Sequence, residues 1–577
     1  QVIPPEVRIE LFNKENVLDI CDDLCYIKEK AAACSKWIEG KIGQLIKDEM
    51  SLKSQNIQKK RLQEAYSDNA KKTLNNFIFN KSSPECQIDE DVVRDYFAST
   101  FSRNVKVFQP DEEGIFSLHE TFSDDDRREF IDFISNKDEI INVIKSRKYE
   151  SAAGPDAIDY SIFKLVPNAA ADFIVAINDI IINYNRVPSG WKTSHTRLIY
   201  KKGDPSTPNN WRPISISNAI YRIFSCLWAR GINFFNTRLN VFSPNQRGFI
   251  AGINGCSDNA SIISELYCDA IRKNKDIIIT ALDFKNAFGS VPHEMIFSSL
   301  IMKGFPEKFI DIIKDVYLGA TTNIVTSSYS SKAIDIKKGT KQGCPVSPLL
   351  FNLCLEPLFE AINNLNKNDG YKFGPRDDRS SFNILAYADD ILLISDSYHG
   401  MNNMLRTCER FCQYSGMELA PLKSCSFGYL LNNRRRCGLS QGFSINNVMI
   451  PFVGIDESIR YLGTPITARK TAKLKTSTDI VLKFISKAQK IFNSDLKIVQ
   501  KVHAFKTFLI PTLDFSLQNG QLKVKDIERI DDTLGAMVNK LIGGALPIAI
   551  KHASWKDGGL SMPSIRKKVT LVKLNLF

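Results

Sequence analysis

Two adjacent carboxylates, Asp389 and Asp390, stand between the apolar runs Phe382-Asn383-Ile384-Leu385 and Ile391-Leu392-Leu393-Ile394-Ser395. The runs read as paired strands with the acids at the turn between them. Like charges at the turn of a buried hairpin repel and lose hydration together. Such a turn calls for a cation, or for one carboxyl that keeps its proton. A divalent metal is the simplest partner. Asp283 follows Ile277-Ile278-Ile279-Thr280-Ala281-Leu282, and a carboxylate at the exit of a buried strand is well placed to share that metal. With Asp389, 106 residues later, it would complete a two-metal site that activates an attacking oxygen and stabilises a leaving pyrophosphate in line. Alone, either acid reads as a cap or turn residue; together they favour the metal.

These acids need elements to hold them. From about 150 to 468 the chain alternates strands and helices without a GxGxxG turn. Asp276 to Leu282 reads as a short strand. Glu294 to Met302 and Pro306 to Leu318 read as helices, and Gln342 to Asn363 as a Pro-broken loop that becomes a helix. Upstream, helices are expected over Asp19–Asp48, Lys53–Phe79 and Asp89–Phe101, with a loop at 80–84 and a linker at 109–114. Ser123 followed by three Asp is a helix start that runs to about Lys145. The last stretch, 469–577, is helical. Val481, Phe484, Ile485, Ala488, Ile491 and Phe492 recur at core spacing, while Lys483, Lys487 and Lys490 fall on another flank. Three segments follow: 1–120, 121–468 and 469–577.

The 577 residues have ordinary globular composition, 43% hydrophobic and 24% charged. No apolar run approaches the roughly 18 residues of a membrane span. The first residues carry no signal-peptide pattern, and both ends read as internal to a longer chain. The 13 Cys include Cys21/Cys25 and Cys408/Cys412, but neither pair has a second pair at zinc-ligand spacing. Reduced core thiols are the better account. The net charge of +12 lies entirely in the last segment, where 20 Lys/Arg face 8 Asp/Glu, while the rest balances at 56 each. A neutral body with a basic end suits a polyanion, nucleic acid above all.

The motifs together carry a resemblance. Thr280-Ala281-Leu282-Asp283-Phe284-Lys285-Asn286-Ala287-Phe288 and Tyr387-Ala388-Asp389-Asp390 resemble the two catalytic motifs of reverse transcriptases of non-LTR, LINE-type retrotransposons. Gly339-Thr340-Lys341-Gln342-Gly343-Cys344-Pro345 resembles the loop between them that contacts template and nucleotide. Ser151-Ala152-Ala153-Gly154-Pro155-Asp156 is similar to the segment ahead of the fingers. Leu198 to Asp204 and Asn210 to Ser215 are similar to the two finger strands. Asn245-Gln246-Arg247-Gly248-Phe249 resembles an insertion of this branch, and Tyr461-Leu462-Gly463 the primer grip. Lys556-Asp557-Gly558-Gly559-Leu560 is similar to the branch with a restriction-like endonuclease. The resemblance runs from about residue 50 to the end.

It implies an α+β right-hand polymerase. A helical, RNA-binding N-terminal extension would precede fingers and a palm with a small antiparallel sheet, then a basic helical thumb. It implies an RNA-directed DNA polymerase that copies retroelement RNA by target-primed reverse transcription. Its partners would be template RNA, primer or target DNA and dNTPs, its cofactor two Mg²⁺ with Mn²⁺ as a substitute, and its place the nucleus. Asp283 and Asp389 would ligate the metals, with Asp390 assisting. Lys202 and Arg212 would meet the triphosphate, a point charge and a bidentate fork. Lys201 reads as solvated hairpin charge. Phe288 would be the steric gate against a 2′-hydroxyl, and a core Phe is the alternative. Gln342 and Gly343 would line nucleotide and template, Gly allowing close backbone approach. Lys423 would protonate pyrophosphate. Nucleic acid would meet Lys59, Lys60 and Arg61, Gln246 and Arg247, Tyr461, Leu462 and Gly463, and Lys483, Lys487 and Lys490.

The chain departs from the family at Gly289, where many relatives have an acid, and at Ala420, where Asn is usual; neither touches the metal-binding pair. Arg434-Arg435-Arg436 reads as the cap of an exposed hairpin. His293 and His503 lack partners at ligand spacing. Rival readings are a telomerase-like or maturase-type reverse transcriptase, or an inactive right hand kept as an RNA-binding scaffold. No nuclease acid cluster or Cys/His finger stands out, so endonuclease and DNA-targeting modules are expected outside this chain or in a partner.

Overall fold

The run Ile277–Leu282 is apolar at every position but Thr280 because both of its faces are covered. In a computed structural model it forms β3, the centre of a five-stranded sheet. The structure describes residues 24–79, 84–102, 114–149, 151–366, 368–374, 380–432, 435–455, 457–467, 475–518, 522–545 and 547–574. The expected loop at 80–84 and linker at 109–114 fall mostly outside these, as do Cys21 and Arg434.

The chain is α+β. In order, its strands are β1 Thr193–Tyr200, β2 Trp211–Ile216, β3 Ile277–Leu282, β4 Thr321–Ile324, β5 Ile334–Asp335, β6 Tyr371–Phe373, β7 Ser380–Phe382, β8 Ile384–Tyr387, β9 Asp390–Ser395, β10 Cys425–Asn432, β11 Arg435–Cys437, β12 Ser444–Ile445, β13 Val448–Met449, β14 Ser458–Tyr461 and β15 Thr464–Thr467. The antiparallel central sheet has the order β11-β10-β3-β9-β8. Ile278, Leu282, Ile391 and Leu393 enter the main core on one face, together with the helices Ser347–Asn363 and Tyr398–Ser415. Ile277, Ile279, Leu392 and Ile394 pack on the other, against Ile263, Leu266 and Tyr267 of the helix Gly255–Lys273. A second sheet, β2-β1-β4-β5, has an antiparallel β1–β2 hairpin and a parallel β1–β4 pair.

Compactness divides the chain into two units, and their boundaries differ from 120 and 468. The larger takes 83–480, 514–526 and 571–577. The helix Glu90–Ser102, expected in the first segment, belongs to it because Val93 and Phe97 bury against Trp211, Ile324 and Ile334 of the second sheet. The smaller unit joins 1–82 to 481–513 and 527–570. Within it Gln63 Nε2 donates to the Asp495 carbonyl at 2.8 Å, and the Tyr66 hydroxyl lies 2.9 Å from His503 Nδ1.

Two local expectations change. The two N-terminal helices are one, Leu24–Asp68, because neither Gly nor Pro interrupts residues 48–53. The helix from Ser123 stops at Ser135: Asn136 is extended and its side chain caps a second helix, Lys137–Ser146, through the amides of Asp138 and Glu139. The expected core face of 481–492 is buried at Val481, Phe484, Ala488, Ile491 and Phe492. Cys408 and Cys412 stand on one helix, and neither is in a disulfide. No helix among the described residues is long and apolar enough to cross a membrane.

Candidate active site

Register brings the acids together. β3 pairs with β9 up to Leu282↔Ile391, so Asp283 and Asp390 stand one step beyond that pair, on neighbouring strands. β8 pairs with β9 down to Tyr387↔Asp390, which leaves Ala388 and Asp389 as a two-residue turn. Ala388 is buried and has φ +53°, a left-handed conformation that L side chains seldom adopt. Burial and the facing Asp283 raise the Asp389 carboxyl above its ordinary range, against the pull of Arg212. Burial, then Asp389 and Asp283, push Asp390 up to about 6. Burial also raises Asp283, offset by the Lys423 ammonium. Three carboxyls raised by burial, two of them also by a neighbouring carboxylate, fit a divalent cation. Among the described residues no group of three or more His, Cys, Asp or Glu is drawn in to ligating distance.

Cations gather beside them. A cavity of about 490 Å³ is lined by Lys201, Lys285, Asn286, Lys338, Gln342 and Lys423, among others. Burial, then the charges of Arg212 and Lys423, lower the Lys201 ammonium. Lys202 is exposed on the turn after β1 and is not among the lining residues. Lys201, read from sequence as solvated, is exposed like Lys202 but lines this cavity. Arg212 is exposed on β2, where it acts on Asp389.

A model of the reverse transcriptase (RNA-dependent DNA polymerase) family matches residues 199–466, which span β1 to β15 and hold all three acids. The chain carries a reverse transcriptase domain. Among curated relatives, a Pol polyprotein from the type-2 retrotransposable element R2DM of Drosophila melanogaster is 28% identical over 428 residues, 74% of this chain and 39% of the relative. A Pol polyprotein from a type-1 element R2 of Nasonia vitripennis is 26% identical over 76% of this chain and 41% of the relative. One from Popillia japonica is 28% identical over 67% and 53%. The chain spans about half or less of the length of these relatives.

Within the reverse transcriptase domain the other expected residues find varied places. Gln342 is half-buried, and its carbonyl accepts the Ser215 amide at 2.6 Å, tying its loop to β2. Gly343 has φ +111°, and a Cβ there would come within 2.5 Å of the Ser215 carbonyl oxygen, so only glycine fits. The Phe288 ring stacks on buried Phe351 at 4.2 Å and meets exposed Phe249 edge-on at 6.4 Å, yet stays half exposed. It is anchored in the core and still has a free edge. Lys423 is exposed on the turn before β10, whose Ser424 hydroxyl accepts the Asp283 amide at 3.1 Å.

Two nucleic-acid assignments are corrected. Gln246 is only 1% exposed, and its side chain bonds the backbone of Ala388 and Gly248, so it is spent inside the protein. Tyr461 is buried, and its hydroxyl meets the Asp390 carbonyl at 3.4 Å and Asn259 Nδ2 at 3.2 Å. Leu462 and Gly463 form the positive-φ turn of β14–β15, with Gly463 exposed. Arg247 faces Asp258 at 3.5 Å. His293, buried against the Gly339 carbonyl, is pulled down to about 4 by burial. In the smaller unit Lys59, Lys60 and Arg61 are exposed on the long helix. Lys483, Lys487 and Lys490 line a cavity of about 390 Å³ with Phe79.

Sequence reasoning gave no role to Ser424 or Asn259, and it quoted Phe249 only within the run Asn245–Phe249, which lies about 140 residues before the catalytic hairpin it packs beside.

Proposed function

We propose that this chain is the RNA-directed DNA polymerase of an R2-like, non-LTR retroelement. The observation that carries it is the register that sets Asp283 and Asp390 on neighbouring strands with Asp389 in the turn between, where Arg212 acts on Asp389 and Lys423 on Asp283. One cluster is built for cations, and its rim for a polyanion.

In this reading the chain is a right hand. The five-stranded sheet is the palm, the β1–β2 hairpin belongs to the fingers, and 481–570 with the N-terminal helix supplies thumb and RNA-binding extension. The 3′-hydroxyl of a DNA primer attacks the α-phosphate of a dNTP, and the bond to pyrophosphate breaks. Asp283 and Asp389 would hold two Mg²⁺, with Asp390 in support; when bound, these ions neutralise charge at the attacking and leaving oxygens. Arg212 orients the phosphates through its fork, Lys201 meets them as a point charge, and Lys423 gives the departing pyrophosphate a proton. Phe288 stands where a 2′-hydroxyl would collide. The template would be the element's own RNA and the primer a nicked chromosomal strand in the nucleus. Cleavage of that strand belongs to modules outside residues 1–577.

Purified protein should extend a DNA primer on an RNA template with Mg²⁺ and dNTPs, and Asp389→Ala should abolish extension while duplex binding persists. Absence of extension by the wild type on every template offered would refute the reading.

A further inference from the structure

The catalytic turn poses a mechanical problem. Its first residue, Ala388, is a non-glycine in a left-handed conformation, 2% exposed, with no water to satisfy its backbone. Such a residue persists only where its surroundings hold it. Those surroundings come from a distant part of the chain. Gln246 Oε1 accepts the Ala388 amide at 2.7 Å and the Gly248 amide at 2.9 Å, and Gln246 Nε2 donates to the Ala388 carbonyl at 3.3 Å. Two amides converge on one end of the carboxamide and a carbonyl on the other, so its orientation is set by its partners. The Gln246 side chain stands in for the peptide group of a missing strand.

We propose that Gln246 is a positioning residue for nucleotidyl transfer: its carboxamide clamps Ala388 and so fixes where Asp389 presents its carboxylate to the metal. The assignment rests on the polymerase reading above.

The clamp is backed on both sides. The Ala386 amide donates to the Asn245 carbonyl at 2.8 Å, and the Ala386 carbonyl accepts the Arg247 amide at 3.0 Å and Asn259 Nδ2 at 3.1 Å. Tyr461 reaches the Asp390 carbonyl, and Asn259 reaches Tyr461. Ala386, Ala388 and Asp390 are therefore all held through their backbones, which leaves the Asp389 side chain to face the acids. Gly248 lies so close that a Cβ on it would stand 2.3 Å from the Ala388 nitrogen. Asn352 Nδ2 anchors the Gly248 carbonyl at 2.7 Å, tying the clamp to the helix Ser347–Asn363. Partners one step removed from a metal typically govern about 10–100-fold of affinity or activity.

Gln246→Met keeps the length and removes both hydrogen-bonding ends. Single-nucleotide addition should fall by about tenfold or more, with dNTP half-saturation changed far less. Mn²⁺ binding to the protein on a chain-terminated primer–template, read from the resonance of free Mn²⁺, should weaken several-fold, while duplex affinity should stay at the wild-type value. Wild-type rate and Mn²⁺ binding in the variant would overturn the clamp. So would a rate restored by saturating duplex, which would make Gln246 a nucleic-acid contact. If Gln246→Met fails to fold, Gln246→Asn, whose carboxamide is one methylene too short, carries the same readouts. An inactive wild type would instead sink the polymerase reading, and the Mn²⁺ titration would still judge the clamp.

Discussion

Replacing Lys341 with methionine should stabilise the protein at neutral pH. Lys341 lies between Thr340 and Gln342, with 3% of its surface exposed. Its ammonium donates to the Lys192 carbonyl at 3.4 Å and stands 5.6 Å from the Tyr221 ring centre. Burial pulls it down to about 8 from 10.5, and the Lys192 ammonium adds to this; Cys344 opposes, and no carboxylate appears among the groups acting on it. At pH 7 the folded protein therefore carries a buried charge that costs about 3 kcal/mol. The sign follows from the protons. Between about pH 8 and 10.5 the folded state has shed a proton that the unfolded state keeps, so wild-type stability rises with pH across that window. Lys341→Met removes this dependence and loses one long hydrogen bond, worth about 1 kcal/mol. The net gain is about 2 kcal/mol near pH 7, and by about pH 10.5 it reverses to a loss of about 1 kcal/mol, the hydrogen bond alone. Urea unfolding followed by the fluorescence of Trp191, Trp211 and Trp228, all buried in the larger unit, measures it. A wild-type-to-variant difference that does not change with pH, or a less stable variant at pH 7, would refute the reasoning.

Other consequences follow from the site. Lys201→Ala should lower kcat/KM for dNTPs by about tenfold or more, the size of a lost charge-assisted hydrogen bond, and Lys202→Ala should change it little; equal effects would remove the distinction between them. Phe288→Val should raise ribonucleotide use relative to deoxynucleotide use, and unchanged discrimination in competition assays would leave the ring to its packing on Phe351. Reversing the charges of Lys483 and Lys490 should weaken duplex binding and flatten its salt dependence. An unaltered slope would mark those lysines as solubility alone.

The chemistry was legible because carboxylates between apolar runs have few innocent explanations. Asp283, Asp389 and Asp390 needed only strand exits and a turn, and short apolar runs that end in acids locate both. The β1–β2 hairpin was legible only through the resemblance of Leu198 to Asp204 and Asn210 to Ser215 to finger strands, and the helix Ser347–Asn363 as the helical run after a Pro-broken loop. What stayed hidden has no periodic signature. Lys201 and Lys202 are exposed neighbours just past a strand end, where alternation no longer says which one lines the cavity. The Gln246 carboxamide bonds a backbone 142 residues away, and a buried Gln looks like an exposed one in sequence. The break at Asn136 was legible in principle, since Asn followed by Asp138 and Glu139 is a cap pattern inside an otherwise helical run.

The smaller unit draws its two halves from stretches of chain about 400 residues apart. On a ribosome, the helix ending at Asp68 emerges about 20–80 s before residues 481–513, at ordinary synthesis rates. Through that interval Tyr66, Leu74 and Ile78, buried in the finished unit, have no cover from the later half. The central sheet, complete once β11 is made, can close first. The topology thus sets an order of synthesis: Asp283, Asp389 and Asp390 and the sheet that carries them are made before the basic helices that complete the smaller unit.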